Sequence, residues 1–261
     1  MSRSMWIAAS GMMAQQLNID VISYNMANVN TIGYKKSRAD FEDLMYQKTV
    51  TAEVGSTGKP EQGMSVQIGL GVRSAGVPKV YTEGNLVQTG NDLDMAIEGD
   101  GFFQVQMPGG ETGYTRAGNM KKNSEGYLST PDGYLVLPAI QLPSNAQHVF
   151  VSPDGKVSVT KTDNTTVDIG QIQIATFANP VGMENMGRNI VKATDASGEA
   201  ILDNPGSNGL GTISQGYTES SNVDIAEEMI KMIIAQRAYE INSKAIQSSD
   251  EILSMTNNLK R

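Results

Sequence analysis

A chain of 261 residues with 39% apolar side chains is long enough to bury a core unaided, and its formal net charge of −8 excludes nucleic acid and anionic lipid as general partners, because its field repels both. The absence of cysteine excludes disulfides, thiolate metal sites and cysteine nucleophiles. No run of about 18 apolar residues occurs, so neither membrane insertion nor a cleaved signal segment is expected.

From Met5 the apolar residues Met5, Met12, Ile19 and Met26 recur every seven positions, with Ala8, Ile22 and Val29 three places behind three of them. That spacing, broken at Gln15, predicts a helix with a coiled-coil seam. It runs into "YNMANVNTIGYKK", Tyr24 to Lys36, which crowds asparagines, a glycine and two lysines together. Tyr24 to Asn28 read as the end of the helix. Asn30 to Gly33 read as a turn, and Tyr34 to Lys36 as the start of an outward path, with Asn28, Lys35 and Lys36 as contacts to neighbouring molecules.

Between about Tyr34 and Ser220 the texture changes to short alternating runs such as "SVQIGLGV", "GYLVLPAIQL" and "HVFVSPDGKVSVT", separated by Gly, Pro, Asn and Asp. "SPDGKV" and "TPDGY" predict hairpin turns. The segment Gln47 to Gln62 has few large apolar residues and reads as a flexible loop or an extended hairpin.

Candidate chemistry in this middle region is sparse. The single histidine, His148, has neither a cysteine nor a second histidine to join and reads as a strand residue. The acidic run "NDLDMAIEGDG" does not follow calcium-loop spacing and reads as turn and strand-edge carboxylates. The glycines of "QIGLGVRSAG" lack a phosphate-loop ending and suit a bend or a close backbone contact. No catalytic, cofactor-binding or metal-binding residues are therefore expected.

At the far end Ile225, Met232, Tyr239, Ile246 and Leu253 again stand seven apart, in a helix of about 35 residues and ~50 Å. Asp224 or Ser221 would cap its start, and Glu227 and Glu228 in the first turn suit the helix dipole. A second apolar line through Ile234, Ala238, Ile241, Ala245, Ile252 and Met255 implies contact with more than one neighbour. Within "RAYE", Arg237 and, from further along, Lys244 can both reach Glu240. Met229 and many of the 15 methionines fall on the two terminal helices, where thioethers suit packing against non-identical neighbours. The residues thus predict an α+β chain: long N- and C-terminal helices forming a coiled coil, an inserted mostly-β middle domain, and a non-enzymatic protein built to assemble.

"NMANVNTIGYKK", Asn25 to Lys36, and "SNVDIAEEMIKMIIAQRAYEINSKAIQSSDEIL", Ser221 to Leu253, closely resemble the two terminal signatures of the flagellar rod and hook family, although Ile32 stands where many relatives have Pro. "TEGNLVQTGNDLDMAIEGDGFFQV" and "NPGSNGLGTISQGYTESSNVD" resemble its distal-rod branch, with the proximal-rod branch as the alternative. The resemblance implies a helical homo-oligomer that transmits torque to the hook and leaves an export channel. It also implies proximal rod proteins, the hook protein, P-ring and L-ring proteins, a rod cap and the flagellar type III export apparatus as partners, in a rod spanning the periplasm. Residues 1–33 and 221–261 would form the inner helical domain, 34–75 an extended connection whose 47–62 segment stiffens the rod, and 76–220 the outer β domain. The subunit contacts expected are Met5, Met12, Ile19, Ile22, Met26, Asn28, Lys35, Lys36, Ile225, Met229, Met232, Ile234, Arg237, Tyr239, Ile241, Ile246, Ile252 and Leu253.

Overall fold

The computed structural model describes residues 3–50, 65–163 and 165–258. It is a mixed α+β chain with two long helices, α1 (Arg3–Ala27) and α2 (Ile225–Asn258), and many short strands between them. The helix ends fall where the sequence changes character: α1 stops inside the asparagine-rich stretch, and α2 begins directly after Asp224. Ser221 accepts the Val223 N–H at 3.2 Å, forming a local turn just before α2.

The chain divides into two compact units, each assembled from separated segments. The first comprises residues 1–26, 37–78 and 225–261; the second comprises 27–36 and 79–224. The extended connection clusters with the helices, and the corner after α1 clusters with the strands.

In the first unit the strand Asp40–Asp43 pairs antiparallel with Val72–Gly76, and Tyr46–Val50 pairs with Ser65–Gly69. The base of the 47–62 segment is therefore a hairpin, while residues 51–62 lie outside the described residues. Just past Gly71, the Val72 N–H points at Ser10 Oγ of α1 at 3.4 Å, so the bend of the glycine-containing run lies against the helix.

The second unit is built on a nine-stranded antiparallel sheet whose strand Phe102–Gln106 has neighbours on both sides. "FFQVQ" alternates, yet its first four residues are all buried, because each face of this strand meets a core. Phe103 and Val105 join Met95, Ile97, Ile172 and Ile213 in one cluster. Phe102 packs on the other face with Tyr114, Phe177 and Val191, where Phe177 stands edge-on to both Phe102 and Tyr114, with ring centroids 5.9 and 4.8 Å away.

Both Pro-Asp-Gly sequences make hairpins. Ser152 donates to the Lys156 carbonyl at 2.9 Å between the strands Ala146–Val151 and Lys156–Lys161. Thr130 likewise donates to the Tyr134 carbonyl at 2.8 Å. His148 lies on the first of these strands, exposed, with Nδ1 3.4 Å from an Asp92 carboxylate oxygen.

Candidate functional site

Two arrangements concentrate the polar and apolar side chains that the fold itself does not explain: a buried ion triad in the second unit and the helix surfaces of the first.

The corner after α1 is tied down by its own backbone and by the triad. Thr31 N–H donates to Asn28 C=O at 3.1 Å and Tyr34 N–H to Thr31 C=O at 3.2 Å, which completes the turn. Asn189 Nδ2 holds the Ile32 carbonyl at 2.7 Å. Gly33 has φ +69°, and a Cβ there would meet Ala117 N at 2.6 Å, so both conformation and space require glycine. Its N–H donates to the backbone carbonyl of Glu219 at 2.8 Å.

The Glu219 side chain is fully buried, and three groups converge on it. Lys35 Nζ lies 2.5 Å from one carboxylate oxygen, which also accepts the Gly84 N–H at 2.9 Å, and Arg116 Nε reaches the other oxygen at 2.9 Å. The cations have further partners: Lys35 donates to the Thr82 carbonyl at 2.6 Å, and Arg116 to the carbonyls of Gly99 and Gly101 at 2.8 and 2.7 Å. Burial alone would raise the Glu219 pKa, but Arg116, then Lys35 and the Gly84 N–H, outweigh it and hold the carboxyl below its usual range. Burial lowers the Lys35 pKa, opposed by Glu219. Two cations on one carboxylate, each also bonded to backbone, make a structural knot that joins the corner, the segment at Gly84, the turn at Arg116 and the strand Tyr217–Glu219.

A cavity of about 160 Å³ beside this knot is lined by Lys35, Tyr81, Phe102, Arg116, Phe177 and Pro180 among others. Burial pushes the Tyr81 phenol up to about 12, so it stays neutral. The triad supplies no nucleophile beside a free base, and its donors hold the fold.

Lys35 was expected at a contact between molecules. In this structure it is 3% exposed and bonded to Glu219 inside its own unit. Its partners lie 47 and 184 residues away in sequence, so no local spacing could have disclosed them.

In the first unit α1 and α2 run antiparallel at three points of contact. Ser4 Oγ lies 3.2 Å from Ser249 Oγ, a Cβ on Gly11 would meet Asn242 Nδ2 at 2.8 Å, and Asn25 Nδ2 donates to Glu228 at 3.1 Å. The paired numbers always add to 253 (4 with 249, 11 with 242, 25 with 228), a constant register over three heptads. The contact line is thus made of small and polar residues. The line expected from sequence ran through Met5, Met12, Ile19 and Met26 and through Ile225, Met232, Tyr239, Ile246 and Leu253. It is displaced because small side chains let the helices approach, and bulky ones turn to the flanks.

Those flanks stay open. Ile22 is buried, while Met5, Met12, Ile19, Met26, Met232 and Ile246 are half-buried, as are Asn28 and Lys36 of the second unit. Ile225, Met229, Ile234, Tyr239, Ile241, Ile252 and Leu253 are exposed, with Ile234 at 64% and Ile241 at 66%. Arg237 is also exposed, bonded to Glu240 at 2.9 Å. With about 3.6 residues per turn, Ile230, Ile234, Ile241 and Ile252 form one line on α2, and Ile225, Met229 and Ile233 form another. On α1, Trp6, Met13 and Tyr24 are exposed on a side turned roughly 100–160° from Gly11 and Asn25, a surface that sequence reading did not single out. No helix among the described residues is long and apolar enough to cross a membrane.

Known proteins give these surfaces a context. Residues 5–35 match the family "Flagella basal body rod protein", residues 96–159 the "Flagellar hook protein FlgE/F/G D1 domain", and residues 214–259 the "Flagellar basal body rod FlgEFG protein C-terminal". The chain is 47% identical over 264 residues to the flagellar basal-body rod protein FlgG of Borreliella burgdorferi, covering 100% of both. It is 46% identical over 258 residues to the protein of that name from Caulobacter vibrioides, covering 97% of each. The flagellar hook-basal body complex protein FlhP of Bacillus subtilis is 28% identical over 276 residues, with 100% of each chain covered.

Proposed function

The chain belongs to the flagellar basal-body rod protein family, a family of structural proteins of the flagellum rather than enzymes, and on that premise we propose that it is the distal-rod subunit. In this reading it polymerises into a helical tube that carries torque from the motor to the hook and leaves a channel for export. The observation that carries the reading is the pair of open apolar lines on α2 together with the Trp6–Met13–Tyr24 surface of α1. Apolar stripes of this extent are covered when other copies pack against them. The terminal helices form a coiled coil, and each subunit touches several neighbours, as stiffness under torque requires.

The partners that go with this role are proximal rod proteins on one side, the hook protein on the other, the P-ring and L-ring around it, the rod cap during growth and the flagellar type III export apparatus. The site is the periplasmic span of the rod. A proximal-rod role is the second reading, favoured by the shared terminal signatures and separated by position along the rod. Electron microscopy of the purified protein tests the proposal: straight tubular filaments are expected, and a protein that stays monomeric at high concentration overturns it.

A further inference from the structure

We propose that the Asn25–Glu228 hydrogen bond sets the register in which the two terminal helices lie, so that Asn25 is a positioning residue and not merely the end of a helix. The inference concerns one chain's own helices and goes beyond the assembly reading without resting on it. Asn25 is 2% exposed, and its amide is used from both ends. Oδ1 accepts the Ser37 N–H at 2.9 Å, and Nδ2 donates to the Ser37 carbonyl at 2.8 Å. These two bonds fix which way the amide points, because only one orientation places an acceptor at the N–H and a donor at the carbonyl. The second Nδ2 hydrogen is left directed at Glu228 Oε2, 3.1 Å away. Glu228, also 2% exposed, accepts Lys231 Nζ at 3.0 Å on its other oxygen.

The need for such a device follows from the repeats. Apolar residues seven apart on both helices are nearly as well served after a slip of one heptad, about 10.5 Å along the axis. The contact line itself is small, with Ser4 against Ser249 and Gly11 against Asn242, so it offers little apolar area to resist a slip. By the same register Asn18 is level with Ala235.

A slip that brings Ser4 level with Thr256 sets Asn25 against Ala235 and leaves a carboxylate without the donor that met it, a costly state for a buried charge. In the opposite slip Asn18 reaches Glu228, but Asn242 leaves the space over Gly11 and meets Ser4. The Ser37 clamp makes Asn25 a fixed post, and Asn18 has no such clamp.

The chain has no cysteine, so engineered pairs read the register directly. Three full-length variants serve as rulers: Ser4→Cys with Ser249→Cys for the observed register, and Ser4→Cys with Thr256→Cys or Asn242→Cys for the two slips. In each, disulfide formation under mild oxidation is measured on soluble and assembled protein, with melting of the β unit as the folding control.

The first ruler is expected to close and the other two to stay open. Adding Asn25→Asp removes both amide donors and faces one carboxylate with another; closure of the first ruler should fall roughly tenfold, with a slipped ruler rising. Adding Glu228→Gln to that variant supplies an amide that can donate to the new carboxylate, and closure should recover. Unchanged closure with Asn25→Asp overturns the proposal, and so does a loss that Glu228→Gln does not restore. A first ruler that closes in protein forming no filaments would defeat the assembly reading and leave the register intact.

Discussion

The two units use polar groups in opposite ways. The β unit closes around its charges: Glu219, Lys35 and Arg116 are all buried and mutually bonded, and the strand Phe102–Gln106 is covered on both faces. The helical unit joins its helices through small and polar residues and leaves its bulkiest apolar side chains in water. A closed unit is finished within one chain. An open one has stability to gain from other copies, and the comparison can be sharpened by experiments on each.

The largest difference is expected in hydrogen exchange of the isolated monomer. Amides of the strand Phe102–Gln106 should exchange only with global opening, of order 5–15 kcal/mol, while α1 and α2, joined by a thin polar line, should exchange through local openings of lower free energy until assembly. Strong protection along both helices in the monomer would break the contrast.

Next is Glu219→Gln, which keeps the shape but leaves two buried cations without their counter-charge; a loss of about 3–5 kcal/mol in chemical denaturation is expected. The acid limb follows the same group. Its folded pKa is depressed, so its contribution is complete above the unfolded value of about 4.3 and is lost as pH falls through the folded value. Melting of Glu219→Gln should accordingly depend less on pH in that acid range than the parent does.

Gly33→Ala should cost about 1–3 kcal/mol, since alanine must adopt φ +69° and press on the Ala117 backbone. Smallest in the monomer is Ile241→Asp, at a 66% exposed position: its melting should shift by less than about 0.5 kcal/mol, yet pelleting of filaments should fail. Normal filaments from this variant would show that the isoleucine line faces solvent in the assembly.

Local chemistry made part of this architecture legible in the sequence. Pro-Asp-Gly twice announced a hairpin, and the asparagines before Gly33 announced the corner, because turn type depends on adjacent residues. The contact line between the helices escaped the same reading. The heptads legible in the sequence run through the largest apolar residues, whereas the approach runs through Ser4, Gly11 and Asn25, whose sizes matter only once a partner is opposite. The ion triad was hidden for another reason: Lys35, Arg116 and Glu219 lie far apart in the chain, and each alone looks like a surface charge.

The register of the terminal helices also has a kinetic side. Ser4 meets Ser249 across 245 residues of chain, so the helical unit cannot close until Ser249 has been made. Loop closure on that scale follows the shorter-range β pairings and slows the last folding step. Closure of the two terminal helices on one another thus waits on residues near the C-terminal end of α2.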